Sequence, residues 1–195
     1  MSAMNQIKQE KDWQLVVVLT VVCIVSAAVL SAVAKLTEEP IAKTKSEIVL
    51  NSIRSVLPDF ANDPVKEKLT VNVDNYEVSV FPGKNKSGEI IGYAVSSLSR
   101  KGYGGNIEIM VGVLQGGVIN KLSVIHHNET PGLGTKIESE SFLNQFKGKS
   151  LQNFHFKVKK DKGDVDAITA ATISSRAVTE AIELALKAIQ SHQKQ

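Results

Sequence analysis

An uncharged run of 20 residues, from Leu15 to Ala34, constrains this chain more than any other feature. Its polar members are only Thr20, Ser26 and Ser31. A helix rises about 1.5 Å per residue, so the run would span roughly 30 Å as a helix, which matches the hydrocarbon core of a bilayer. We therefore expect one N-terminal transmembrane helix.

The residues that flank the run support a membrane anchor over residues 13–35. Trp13 suits the aromatic belt at one membrane surface, and the Lys35 side chain can extend to the headgroups at the other. The alternative is a cleaved signal peptide, whose apolar core is only about 7–15 residues long. Because the run is longer than that, we favour an uncleaved, single-pass anchor in contact with membrane lipid.

Charge does not decide how the anchor is oriented. Basic residues near its two ends are similar in number: Lys8 and Lys11 come before it, and Lys35, Lys43 and Lys45 follow. The positive-inside rule therefore favours neither orientation. A short tail before a large domain favours a cytoplasmic tail over residues 1–12 and an extracytoplasmic domain over residues 36–195.

The composition narrows the chemistry that the chain can perform. Its 23 basic and 20 acidic residues give a net charge of +3, and no basic stripe carries interleaved aromatic residues, which argues against nucleic-acid binding. Cys23 is the only cysteine, which excludes an intrachain disulfide and an iron–sulfur cluster held by this chain alone. Any redox chemistry would therefore use a cofactor that cysteine does not hold.

No metal site or hydrolytic site is predicted. His126 and His127 lie near Glu129, but neighbouring residues on a strand point to opposite faces, so the two imidazoles would not meet one ion. The sequence contains no Ser-His-Asp or Cys-His arrangement, no P-loop and no Gly-x-Gly-x-x-Gly after a strand. We therefore expect no catalytic residues and no complete active site in this chain alone.

Hydrophobic spacing predicts an α+β domain after the transmembrane helix, with an antiparallel sheet flanked by helices. Apolar residues alternate along segments that short turns such as Gly116-Gly117 separate, and short turns imply antiparallel pairing. The predicted strands are Leu69 to Val73, Tyr76 to Phe81, Ile90 to Leu98, Ile107 to Leu114 and Val118 to His126, with another through Phe154, Phe156 and Val158. The predicted helices are Thr37 to Leu57, Ser139 to Phe146 and Ile173 to Gln190.

Two glycine-rich stretches have the backbone freedom to approach a ligand closely. Gly102-Tyr103-Gly104-Gly105 precedes the strand that begins at Ile107, and Glu129-Thr130-Pro131-Gly132-Leu133-Gly134 forms a loop after the last strand of the sheet. Glycines permit unusual φ angles or let a flat group lie against the backbone. The plain alternative is that both stretches are only tight turns.

A third stretch, Asp166 to Ser175, mixes threonines and serines with alanines just before the last helix. A helix N-terminus has unpaired N–H groups and the positive end of the helix dipole, so it favours an anion such as phosphate. The hydroxyls would then serve as nucleophiles or as phosphate ligands. The alternative is that they only cap the helix.

The three stretches resemble, in the same order along the chain, motifs of the FMN-binding domain family. Gly-Tyr-Gly-Gly before a strand and Glu-Thr-Pro-Gly-Leu-Gly against the flavin are typical of that family, and Asp166 to Thr172 resembles its flavinylation motif, Asp-x-x-Ser/Thr-Gly-Ala-Thr. Ala170 departs from the motif because the family usually has glycine there. The added methyl group is tolerable if φ of residue 170 is negative and unfavourable if it is positive.

The resemblance implies covalent FMN, attached through its phosphate to the Thr172 hydroxyl by a separate flavin transferase that takes the FMN moiety from FAD. It implies that the transferase recognises Asp166 to Thr169. Other motif residues would surround the cofactor: Tyr103, Gly104, Gly105, Glu129, Thr130, Pro131, Gly132, Leu133, Gly134, Ala171, Ser174 and Ser175. We expect Ser174 and Ser175 to donate to the phosphate, and Arg176 to stay in solvent.

The anchor, the length and the motifs together resemble the G subunits of Rnf-type ion-translocating electron-transport complexes. This resemblance implies an electron relay among the other membrane subunits of a translocase that couples ferredoxin and NAD. It also implies a location in the cell inner (cytoplasmic) membrane, with the soluble domain on the periplasmic side. Three alternatives stay open. One is a protein like the related, generally longer C subunit of the sodium-pumping NADH:quinone reductase. The others are a stand-alone anchored FMN electron carrier and an anchored adaptor without redox chemistry.

Overall fold

The computed structural model of the 195-residue chain describes residues 2–193, in two compact units divided after Glu47. Helix α1 is Ser2–Val56 and contains the apolar run. Within the described residues, Trp13–Glu38 is the one helical segment that is long and apolar enough to cross a membrane, and its side chains are exposed. Its length and composition support membrane association.

The prediction that a separate helix begins at Thr37 was wrong. Helix α1 continues from the apolar run through Pro40 and ends at Val56, close to the predicted end at Leu57. The residues between the run and Ile48 are mostly good helix formers, such as lysine, leucine, glutamate and alanine. Only the proline opposes continuity, because it lacks an N–H group.

The second unit contains a five-stranded antiparallel sheet with the strand order β1-β2-β3-β4-β5. The strands are β1 Leu69–Val73, β2 Tyr76–Lys84, β3 Ile90–Gly102, β4 Gly105–Leu114 and β5 Val118–His127. All five strands predicted from alternation between turns are confirmed. Strands β2 and β3 extend further than predicted, and β2 continues beyond Phe81 to Lys84.

Both faces of the sheet are covered. Helix α3, Thr172–His192, packs on one face through apolar residues at helical spacing, including Val178, Ile182 and Ile189. On the other face, Ile53 and Val56 from the end of α1 join a smaller core with residues such as Leu57, Phe81 and Met110. Consecutive residues of β4 are therefore buried. In a sheet covered on only one face, buried and exposed residues would alternate along the strand. Each fully buried Val or Ile contributes about 1.5–3 kcal/mol relative to exposure.

The segment between β5 and α3 contains short helical turns and loops. It includes a 3₁₀ turn at Gly134–Glu138, helix α2 at Glu140–Leu143, and 3₁₀ turns at Asn144–Phe146 and Lys159–Asp161. The strand predicted through Phe154, Phe156 and Val158 was wrong, because only one isolated parallel bridge, Val158 to Val165, forms there. The phenylalanine spacing reflects an aromatic cluster: the ring centroids of Phe154 and Phe156 are 5.1 Å apart, and that of Phe156 is 6.4 Å from Phe146.

Candidate functional site

The buried side chain of Glu129 joins the three motifs that the sequence singles out. Its Oε1 accepts a hydrogen bond from the Gly104 N–H at 3.1 Å, and its Oε2 accepts one from the Ser174 hydroxyl at 2.6 Å. Glu129 itself belongs to the second motif, and only 5% of its surface is exposed. The β3–β4 turn, the loop after β5 and the start of α3 therefore meet at one carboxyl group.

Two glycines allow these segments to approach so closely. A Cβ on Gly104 would overlap the backbone carbonyl of Asn128, the residue before Glu129. A Cβ on Gly134 would lie 2.5 Å from Oε2 of Glu129 and 3.2 Å from the Ser174 hydroxyl oxygen. Both positions therefore require glycine for space, and the atoms that approach them belong to other segments of the protein.

Helix α3 begins at Thr172 without a side-chain cap, although four hydroxyl groups surround its start. Its N-cap residue is Ala171, which has no hydroxyl. Ser175 instead donates to the Ala171 carbonyl at 2.9 Å and accepts from the Ile168 N–H at 3.0 Å, so it fastens the preceding loop. The interpretation of this run as a simple helix cap does not account for these contacts, and the first N–H groups of α3 stay available to an anion.

Thr172 differs from the other hydroxyl residues around the start of α3. Ser174 is bonded to Glu129 and Ser175 to Ala171, whereas among the described residues the Thr172 hydroxyl has no hydrogen-bond partner. Thr172 is half-buried and lines a cavity, and exposed Thr169 does not. Of the hydroxyl groups that the structure describes around the start of α3, only that of Thr172 both lacks a hydrogen-bond partner and belongs to a residue that lines the cavity.

The cavity in front of Thr172 has a volume of about 440 Å³, within the range of about 300–1,000 Å³ that is typical of cofactor sites. Large apolar side chains at its rim are exposed: Tyr103 by 70%, Leu133 by 44% and Ile173 by 47%. An isoalloxazine ring has large apolar faces, which such side chains would cover. The remaining lining residues are Glu129, Thr130, Gly134, Ala170, Ala171 and Ser174. The size, the apolar rim and the adjoining helix N-terminus fit FMN.

Several predicted site residues do not line this cavity. Asp166 is exposed and pairs with Lys159 at 2.7 Å. Pro131 and Gly132 form the exposed turn of the second motif, and Ser175 holds the loop before α3. Gly104 is exposed and Gly105 is half-buried, and neither lines the cavity. Ile173 lines the cavity but was missed. An apolar residue in the first turn, next to the attachment motif, is the sequence signal that would have indicated it.

Arg176 faces away from the candidate phosphate position. Its guanidinium group bonds both carboxylate oxygens of Asp161, at 2.7 and 2.8 Å. These hydrogen bonds lower the pKa of Asp161 and raise the pKa of Arg176. A second cavity of about 480 Å³ contains this ion pair and the Lys101–Glu180 pair. The lining contains three cations, Lys101, Lys157 and Arg176, and three anions, Asp161, Glu180 and Glu183, so that cavity offers a phosphate no excess of positive charge.

Ala170 has φ of +63°, in the left-handed region that glycine adopts easily. Relief of this strain is worth about 1–2 kcal/mol, and the added freedom of the unfolded glycine costs about 0.5–1 kcal/mol. We therefore expect Ala170→Gly to raise the free energy of unfolding by about 0.5–1 kcal/mol in urea denaturation of the full-length protein in detergent. Ala61→Gly is the control: Ala61 is exposed and is not among the residues with positive φ, so the same change should destabilise. Equal effects at both positions would contradict the strain argument.

Known proteins resemble this chain over the candidate site and beyond it. The family model of the FMN-binding domain matches residues 102–187, which include all three motifs. The G subunit of the Na⁺-translocating ferredoxin:NAD⁺ oxidoreductase complex of Acetobacterium woodii is 33% identical over 201 residues, covering 94% of this chain and 96% of the relative. The G subunit of the proton-translocating ferredoxin:NAD⁺ oxidoreductase complex of Clostridium ljungdahlii is 36% identical over 175 residues, covering 88% of each.

Among solved structures, the crystal structure of the C subunit of Na⁺-translocating NADH-quinone reductase from Parabacteroides distasonis matches with a TM-score of 0.46 and 27% identity. That match covers 71% of this chain and 70% of the other. The assignment to a family depends on the two sequence relatives, which align over most of their length, and on the FMN-binding domain match. This chain belongs to the family of FMN-binding G subunits of ion-translocating ferredoxin:NAD⁺ oxidoreductase complexes.

Proposed function

We propose that this protein carries FMN on Thr172 and relays electrons within a membrane-bound, ion-translocating ferredoxin:NAD⁺ oxidoreductase complex. The observation that carries the proposal is the unengaged Thr172 hydroxyl, which lines a flavin-sized cavity at the start of α3. The names of the two relatives, both G subunits of such complexes, support the assignment to a complex.

Attachment of the cofactor is a phosphoryl transfer to the threonine. The Thr172 oxygen forms a bond to the phosphorus of the FMN half of FAD, the anhydride bond to the adenylate breaks, AMP leaves, and the hydroxyl proton passes to a base on a separate flavin transferase. Asp166 and Thr169 are exposed just before Thr172, so a transferase can contact them. This exposure supports their proposed role in recognition, rather than in holding the cofactor.

The residues of the cavity would then hold the attached group. The free N–H groups at the start of α3 would stabilise the negative charge of a phosphate on Thr172. Tyr103, Leu133 and Ile173 would cover the apolar faces of the flavin and exclude water from them. Bound FMN supplies reversible electron transfer, and the phosphoester bond keeps it on the protein in every redox state.

Purification from native membranes tests the place of the protein in a complex. We expect the flavin-bearing chain to co-purify with other membrane subunits, and we expect flavin to stay with the chain under denaturing electrophoresis. Recovery of the loaded chain without other subunits would favour the stand-alone electron carrier. Recovery without flavin would favour the adaptor.

We further propose that residues 36–195 lie on the extracytoplasmic side of the inner membrane. Ser87 is exposed in the turn between β2 and β3. In a Cys23→Ser background, a cysteine at this position should react with a membrane-impermeant maleimide in cells whose outer membrane is permeabilised and whose inner membrane is intact. A cysteine at Ser2 is the control and should react only after the inner membrane is permeabilised. The reverse labelling pattern would place the flavin domain in the cytoplasm.

A further inference from the structure

Among residues 13–38 and 44–193, whose burial the structure describes, Glu129 is the only buried carboxylic acid. Its side chain lines the candidate FMN cavity, and the described lining residues include no lysine or arginine. Its backbone N–H donates to Nδ1 of His127 at 3.1 Å, which fixes the residue at the end of β5. The buried carboxyl group of Glu129 therefore has no neutralising lysine or arginine among the described residues that line the candidate FMN cavity.

The contacts of Glu129 fit an ionised carboxylate. Both of its oxygens accept hydrogen bonds, one from the Gly104 N–H and the other from the Ser174 hydroxyl. A carboxylate accepts hydrogen bonds, and a backbone N–H and a hydroxyl can both donate them. Two donors at 3.1 and 2.6 Å stabilise the negative charge without removing it.

We infer that Glu129 lowers the reduction potential of the bound FMN by holding a negative charge against its cavity. An electron added to a group beside a fixed negative charge is repelled, and the repulsion is strongest where water is excluded. The inference rests on the proposed function, because it requires FMN in the cavity that Thr172 lines. Glu129 thus lowers the reduction potential of the cofactor, in addition to linking the β3–β4 turn, the loop after β5 and the start of α3.

Two variants separate this electrostatic role from a purely structural one. Glu129→Gln removes the charge and alters the contact with Ser174, whereas Ser174→Ala removes the same contact and keeps the carboxyl group with its hydrogen bond from the Gly104 N–H. If Glu129 acted only as a clamp, both variants would shift the potential by similar amounts. If its charge acts on the flavin, Glu129→Gln raises the potential by more than Ser174→Ala does.

The test is an anaerobic dithionite titration of the full-length, flavinylated protein in detergent, in the presence of redox dyes. We expect Glu129→Gln to increase the equilibrium constant for reduction about tenfold, which is a shift of about +30 mV for a two-electron couple. Glu129→Asp, which withdraws the charge by one methylene, should give a smaller increase of about two- to threefold. Ser174→Ala should give a smaller increase than Glu129→Gln, because the carboxyl group and its bond to the Gly104 N–H remain.

Intact mass and circular dichroism of each variant accompany the titration. A loaded, folded Glu129→Gln protein with the wild-type potential, or a lower one, would overturn the inference. An equal rise in Ser174→Ala would do the same. If Glu129→Gln does not fold, Glu129→Asp decides, and a wild-type potential in that variant contradicts the inference. Absence of covalent flavin from the wild-type protein would instead refute the proposed function.

Discussion

Thr172→Val is expected to abolish covalent attachment of FMN and to leave the fold intact. Valine keeps the shape of threonine but lacks the oxygen that forms the phosphoester bond. The Thr172 hydroxyl has no hydrogen-bond partner among the described residues, so its loss should change the free energy of unfolding by less than about 0.5 kcal/mol. Intact mass after co-expression with a flavin transferase measures attachment, and urea denaturation measures stability.

Thr172→Ser is the matched control, because it restores a hydroxyl at the same backbone position. We expect this variant to acquire FMN, although more slowly, since serine has more rotamer freedom than threonine. Full covalent loading of the valine variant would show that another hydroxyl, on Thr169 or on one of the serines, accepts the cofactor.

Gly104→Ala is expected to have the second large effect, through the packing of the site. A Cβ at residue 104 would overlap the Asn128 carbonyl oxygen, which belongs to the backbone and cannot rotate away. The β3–β4 turn would then separate from the Glu129 loop, and the Gly104 N–H would lose its bond to the carboxylate. We expect the free energy of unfolding to fall by about 2–3 kcal/mol, with reduced flavin loading.

Gly83→Ala is the control for a new methyl group in the same sheet. A Cβ there would lie 2.8 Å from Cδ1 of Leu57, the end of a flexible side chain that can shift. We expect a loss below about 1 kcal/mol and normal flavin loading, as measured by urea denaturation and intact mass. Equal losses in the two glycine variants would contradict the account of how the two motif loops pack together.

The sequence alone predicts those parts of the fold that depend on local patterns. The apolar run could be assigned as a transmembrane helix, because its length and its lack of charge are sufficient for that prediction. The five strands could be assigned because turns separate segments in which apolar and polar residues alternate. The spacing of Phe154 and Phe156 led to a wrong prediction of a strand, because the same spacing arises when aromatic side chains form a cluster between loops. The break predicted near Thr37 failed because good helix formers on both sides of Pro40 continue α1.

The candidate site was predictable only in its motifs. Resemblance indicated Thr172 and Glu129, but the contacts of Glu129 join residues that are 25 and 45 positions away in sequence, which no local pattern reveals. The sign of φ at Ala170 likewise required the structure, and it proved to be the unfavourable one. Local chemistry thus identified the residues, and tertiary packing determined which of them face the cavity.

Tandem mass spectrometry of the protein from native membranes tests the central claim most directly. Cleavage after Lys162 and Arg176 releases one peptide, residues 163–176, which contains every hydroxyl residue of the attachment motif. We predict that this peptide carries the mass of one FMN less one water and that fragmentation localises the addition to Thr172. An unmodified peptide, or an addition localised to Thr169, Ser174 or Ser175, would contradict the account.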